Sequence, residues 1–270
     1  MDVFSFEKEG GKKKEKEKEN CKSPCFVFRT ELVPEMLAKM AAAHVLSVPV
    51  IENGKLRGIF DVLDYVALVL GNGPVASLAV AKARNASRHD VCLTVSRSDG
   101  LFSLAEIFSR GVHRVCVVDG GVVVGVVSQS SLLSFLARHL PPPEKGSILD
   151  QTLEEAHLLH PSAHVDSEQS LRAALALMND SAYEAIAVTT KDGALLGAVQ
   201  VSLLRGLGPD ELHAVMEKSV GDFALAHKEK LVRSVPSATV RDTICTVASA
   251  RAHQTWLEQE GKLKGIVTLR

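Results

Sequence analysis

Apolar residues recur along the chain in a fixed order: a helical stripe, a short apolar run, a glycine-bearing turn, and a second apolar run entered through a glycine. The order is met four times. The first pair of runs is Val48-Pro49-Val50-Ile51-Glu52-Asn53-Gly54-Lys55-Leu56-Arg57-Gly58-Ile59-Phe60, and the second extends from Val115-Cys116-Val117-Val118 through Asp119-Gly120-Gly121 to Val124-Gly125-Val126-Val127. The third passes from Ile186-Ala187-Val188 through Asp192-Gly193 to Leu196-Gly197-Ala198-Val199, and the fourth from Trp256-Leu257 through Glu260-Gly261 to Lys264-Gly265-Ile266-Val267. The entering glycines Gly58, Gly125, Gly197 and Gly265 are 67, 72 and 68 residues apart. Short runs rich in β-branched residues around Asn-Gly, Gly-Gly, Asp-Gly or Glu-Gly predict β hairpins, the turn glycine supplying a positive φ.

Ahead of the hairpins lie stripes with helical spacing: Leu32, Met36, Leu37 and Met40; Leu101, Leu104, Ala105 and Phe108; Leu171, Ala174, Leu175 and Met178; Val240, Ile244 and Val247. Further apolar helices follow the first two hairpins, from Val62 to Leu70 and from Leu132 to Leu140. Each unit thus reads as helix, strand, strand, helix, with a short strand before it. A unit this small buries its sheet face poorly alone and is expected to pair with a neighbour. The segment Pro141-Pro142-Pro143-Glu144-Lys145-Gly146 has the composition of a stiff, polar linker. The alternating run from Lys12 to Glu19 reads as a solvated, disordered tail.

Composition narrows the function classes. Of the 270 residues, 46% are hydrophobic and 23% charged, a globular balance, but aromatics are only 4%. Stacking platforms for single-stranded nucleic acid are therefore scarce. A formal net charge of -1 provides no global field toward nucleic acid or an anionic membrane. Cys21, Cys25, Cys92, Cys116 and Cys245 form no Cys-x-x-Cys pair, and a reducing compartment is expected. With no secretory signal pattern and no apolar stretch long enough to span a bilayer, the chain is expected in the cytoplasm, or in both cytoplasm and nucleus. No metalloprotease, nucleophile-elbow or P-loop motif is present, so neither an enzyme nor a metal site is expected.

The helix-hairpin-helix order around residues 113–136 resembles a cystathionine-β-synthase (CBS) repeat, and the resemblance extends over roughly residues 25–270. Two pairs of such repeats in one short chain resemble the γ subunits of AMP-activated (SNF1-type) protein kinases, and His253-Gln254-Thr255-Trp256 is similar to the start of their last repeat. The resemblance implies an α+β fold of four β-α-β-β-α repeats forming two tandem CBS pairs, or Bateman modules. The expected layout is a tail over 1–24, repeat 1 over 25–83, repeat 2 over 84–139, a linker over 140–147, repeat 3 with a connecting helix over 148–230, and repeat 4 over 231–270. Repeat 4 lacks its closing helix, so Arg270 reads as an interruption rather than a natural end.

Nucleotide-binding CBS repeats, by the same resemblance, place a hydroxyl three residues and an Asp six residues after the entering glycine, and a cation at the start of the first hairpin strand. Repeat 1 carries Asp61 and Asp64 at those first two positions, repeat 2 Ser128 and Ser131, repeat 3 Gln200 and Leu203, and repeat 4 Thr268 alone. The strand-start pairs are Leu46-Ser47, His113-Arg114, Glu184-Ala185 and His253-Gln254. The candidate ligand residues are therefore Asp64 for ribose and His113, Arg114, Ser128, His253 and Thr268 for phosphate, with AMP, ADP or ATP as regulatory ligand and no catalytic cofactor. Each also has a plainer role: Asp64 complements a helix dipole, and Ser128 and Thr268 cap helices. The implied function is an adenine-nucleotide-sensing subunit that contacts the catalytic and scaffold subunits of a protein kinase. The alternatives are an interaction scaffold whose sites have decayed, and a regulator of a metabolic enzyme that binds an adenosyl compound.

Overall fold

The structure is a computed structural model and describes residues 25–71, 75–80, 92–228 and 231–269. The charged tail, the expected junction of repeats 1 and 2, and Arg270 lie outside the described residues. Repeat 1 comprises β1 (Val27–Phe28), α1 (Val33–Ala43), β2 (Ser47–Glu52), β3 (Lys55–Asp61) and α2 (Val62–Leu70). Repeat 2 follows with β4 (Thr94–Ser96), α3 (Leu101–Ser109), β5 (Arg114–Asp119), β6 (Val122–Ser128) and α4 (Gln129–Arg138). In repeat 3, β7 (His164–Asp166), α5 (Leu171–Ser181), β8 (Ala185–Thr189) and β9 (Leu195–Gln200) lead into the one-turn α6 (Val201–Leu204), then α7 (Pro209–Met216) and α8 (Val220–Ala226). Repeat 4 has β10 (Arg233–Ser234), α9 (Val240–Ser249), β11 (Gln254–Gln259) and β12 (Lys262–Thr268).

Each repeat builds the same three-stranded sheet. The short first strand pairs parallel with the second, which the intervening helix permits, and the second pairs antiparallel with the third through the hairpin. The entering glycine has one structural role in all four copies. Gly58, Gly125, Gly197 and Gly265 lie opposite Val50, Val117, Val188 and Leu257, and the register shifts immediately after each pair. A glycine at such an irregularity lets another backbone approach. A Cβ on Gly197 would stand 2.9 Å from the Ala224 carbonyl oxygen, and one on Gly265 would stand 2.5 Å from that of His160.

The helical stripes bury as expected in repeats 1 and 3, where Met36, Leu37 and Met40, and then Leu171, Ala174, Leu175 and Met178, are all in the core. Leu32 instead stands before α1 as its N-cap, and α1 begins at Val33. Ala105 is exposed; the buried face of α3 carries Leu104 and Phe108, with Leu101 and Ile107 beside them. α4 starts at Gln129, earlier than the apolar pattern suggests, because the Ser128 hydroxyl caps it. Left-handed residues turn the chain after each first helix: His44, Gly111, Ala182 and Arg251 have φ of 55°, 87°, 57° and 50°.

Repeats 1 and 2 join through one buried cluster containing Ile59, Cys116 and Val123, and repeats 3 and 4 through another containing Ala187, Leu195, Ala198 and Trp256. The two pairs meet along their helices. α2 packs on α5 within a continuous core that includes Val62, Tyr65, Val66, Leu175 and Met178, while α4 packs on α9. Polar contacts cross the first seam, the Tyr65 hydroxyl donating to the Leu207 carbonyl at 2.9 Å and the Arg205 guanidinium to the His44 carbonyl at 3.0 Å. The proline-rich linker is tied to repeat 4, since Arg241 donates to the Pro141 carbonyl at 2.7 Å and to Asp150 at 2.8 Å.

Candidate functional site at the four strand starts

In repeats 1 to 3 the residue before the first hairpin strand is fixed by one recurring backbone bond. The Leu46 carbonyl accepts from Val62 N–H at 3.1 Å, that of His113 from Gln129 N–H at 3.0 Å, and that of Glu184 from Val201 N–H at 2.9 Å. The first turn of the following helix thereby holds each backbone in place. The register adds a second set of residues, because Asp61, Ser128, Gln200 and Thr268 lie directly opposite Ser47, Arg114, Ala185 and Gln254.

Glu184 is where the repeats meet. Its Oε1 lies 3.4 Å from His113 Nδ1 and 3.3 Å from Arg114 Nη2, both in repeat 2, and its Oε2 lies 3.4 Å from His253 Nδ1 in repeat 4. His113 and Arg114 are buried, the latter 5% exposed, and the Glu184 side chain is 16% exposed. Burial alone would push the Glu184 carboxyl up. The hydrogen bond from His253 and the charges of His113, Arg114 and His253 outweigh it and hold the group well below the usual carboxylate range. A shallow surface depression lies alongside, lined by Leu46, Asp61, Val62, Leu63, Arg114, Glu184 and Val201.

Of the six candidate residues, His113, Arg114 and His253 converge on one carboxylate. Ser128 stands opposite Arg114 in the ladder, where its hydroxyl caps α4 by accepting from Ser131 N–H at 3.2 Å. Thr268 is half-buried opposite Gln254 at the end of β12. Asp64 is buried and reciprocally bonded: Asp61 accepts from Asp64 N–H at 2.8 Å, and Asp64 accepts from Asp61 N–H at 3.2 Å. This capping box satisfies two donors at the start of α2. Among the described residues, no group of three or more His, Cys, Asp or Glu side chains is arranged to hold a metal ion. No described helix is long and apolar enough to cross a membrane.

Glu184 is the residue that reading the sequence did not select. Its signal was present in the aligned strand starts, where Leu46, His113, Glu184 and His253 occupy one position and a single acid stands among two histidines and a neighbouring arginine.

Residues 88–138 match the family model of the CBS domain. The whole fold matches a Methanocaldococcus jannaschii protein proposed as an archaeal homologue of γ-AMPK, with a TM-score of 0.75 over 93% of this chain and 95% of that one, at 13% identity. The chain has the fold of tandem CBS-domain proteins. A conserved protein of Pyrococcus horikoshii also matches this tandem CBS protein, with a TM-score of 0.54 at 21% identity, covering 91% of this chain and 92% of the other. Sequence relatives include Protein sds23 of Neosartorya fischeri, 26% identical over 63% of this chain and 35% of the relative. Protein sds23/moc1 of Schizosaccharomyces pombe is 24% identical over 66% of this chain and 47% of its own length. The CBS protein thus spans between about a third and a half of the curated relatives it matches.

Proposed function

We propose that this protein is a non-catalytic regulatory scaffold of CBS repeats, acting in the cytoplasm by holding partner proteins such as the catalytic and scaffold subunits of a protein kinase. The supporting observation is the Glu184 carboxylate among His113, Arg114 and His253. The basic side chains that a nucleotide phosphate would meet are already engaged by the chain itself, and a second acid, Asp61, lines the adjoining depression.

A nucleotide sensor is the second reading, favoured by the convergence of those same three basic side chains from two repeats. A calorimetric titration of the purified chain with AMP, ADP, ATP and S-adenosylmethionine separates the two. The scaffold reading expects no saturable heat from any of them. Saturable binding of an adenine nucleotide that Arg114→Ala abolishes would replace it with the sensor. Binding of S-adenosylmethionine that Arg114→Ala leaves intact would instead support the adenosyl regulator.

A further inference from the structure

We infer that His113, Arg114 and His253 form an oxyanion receptor for which Glu184 is the built-in ligand, so that a free carboxylate or phosphate can enter only where Glu184 is removed or displaced. This inference rests on the scaffold reading and specifies the chemistry of its central site. Arg114 presents a guanidinium, a fork suited to planar or tetrahedral oxyanions. The two histidines approach from separate repeats and reach both carboxylate oxygens, His113 and Arg114 meeting Oε1 and His253 meeting Oε2. A carboxylate gripped at both oxygens by three residues from two other repeats has the contacts of a bound ligand, and its tether is the β8 strand start, fixed by the Val201 N–H bond to the Glu184 carbonyl.

The charged groups facing the position include one that opposes entry. Asp61 lines the same depression, and its carboxylate is held by the Asp64 N–H at 2.8 Å. A second charge on the incoming anion therefore meets repulsion, which favours a small singly charged oxyanion over a crowded polyphosphate.

The test follows the melting temperature of the full chain in formate, in inorganic phosphate and in chloride at matched ionic strength. The wild type, Glu184→Ala, Glu184→Gln and Glu184→Ala combined with Arg114→Ala are compared. Glu184→Ala should be stabilised by formate or phosphate but not by chloride, at concentrations at least tenfold lower than any effect on the wild type. Glu184→Gln, which keeps the volume and loses the charge, should respond more weakly, and the double variant should not respond. Equal anion dependence in Glu184→Ala and the wild type would overturn the inference, as would a dependence that survives in the double variant. Should Glu184→Ala be unfolded in chloride, refolding by formate or phosphate supports the receptor, and failure to refold in either contradicts it. The outcome is separate from that of the scaffold reading, which stands or falls on nucleotide binding by the wild type.

Discussion

Glu184 and Arg114 are 70 residues apart in sequence and belong to different CBS pairs, yet Glu184 Oε1 lies 3.3 Å from Arg114 Nη2. Both side chains are largely withdrawn from water. A buried ion pair of this kind is weak evidence for net stabilisation, because desolvation opposes the attraction, but removing one partner strands the other. Its consequence here is specificity of arrangement, since repeat 3 is tied diagonally to repeat 2 while His253 ties it to repeat 4.

The pH dependence follows from the lowered Glu184 pKa. A carboxyl held below its ordinary value of 4.5 contributes stability that is complete above that value and declines as pH falls through the folded-state value. Urea unfolding of the wild type and Glu184→Gln should show the difference between them shrinking as pH is lowered from about 6 to about 3. A constant difference across that range would contradict the assignment.

Ala182 closes α5 with φ of 57°. A left-handed alanine is strained where glycine is not, and the gain from relieving it is partly offset by the greater freedom of glycine in the unfolded chain. Ala182→Gly should stabilise the protein by about 0.5–1 kcal/mol, read as a shift in the urea midpoint at unchanged slope.

Gly265 tests the close approach of the segment before β7. A methyl group there would lie 2.5 Å from the His160 backbone oxygen, and that oxygen accepts from Ile266 N–H at 3.0 Å. Gly265→Ala should cost about 1–3 kcal/mol through forced backbone displacement, whereas the surface turn at Gly261 offers nothing for a methyl to strike and exacts only the cost of its positive φ.

Tyr65 probes the seam between the pairs. It is fully buried, and its hydroxyl reaches the Leu207 carbonyl at 2.9 Å. Tyr65→Phe should lose about 0.5–1.5 kcal/mol, as expected for a single hydrogen bond, without altering secondary structure. Equilibrium unfolding and far-ultraviolet circular dichroism together check both parts.

The four-fold hairpin pattern was readable in the sequence because β-branched runs, turn glycines and the glycines at the register shifts are local signals. The stripe Leu171, Ala174, Leu175 and Met178 was readable for the same reason. Ala105 misled because a small apolar residue costs little on an exposed helix face, and Leu32 because capping geometry, rather than hydropathy, decides where a helix begins. The site was half visible: His113, Arg114 and His253 stood out as basic residues at equivalent strand starts. That they share Glu184 was not visible, because the contact joins repeats 2, 3 and 4 and depends on how the pairs assemble. Asp64 could be placed on the first turn of α2 from the sequence, but its reciprocal bond with Asp61 depends on side-chain rotamers that no spacing rule specifies.

The most direct test of the account is a double-mutant cycle on the stability of the full chain, using Glu184→Gln, Arg114→Met and the two combined. The account predicts that each single change costs about 3–5 kcal/mol by stranding a buried partner, and that the combined variant is more stable than the sum of the two losses by at least ~1 kcal/mol. Losses that add to within ~0.5 kcal/mol would show that Glu184 and Arg114 act independently, and the contact would then not couple repeat 3 to repeat 2.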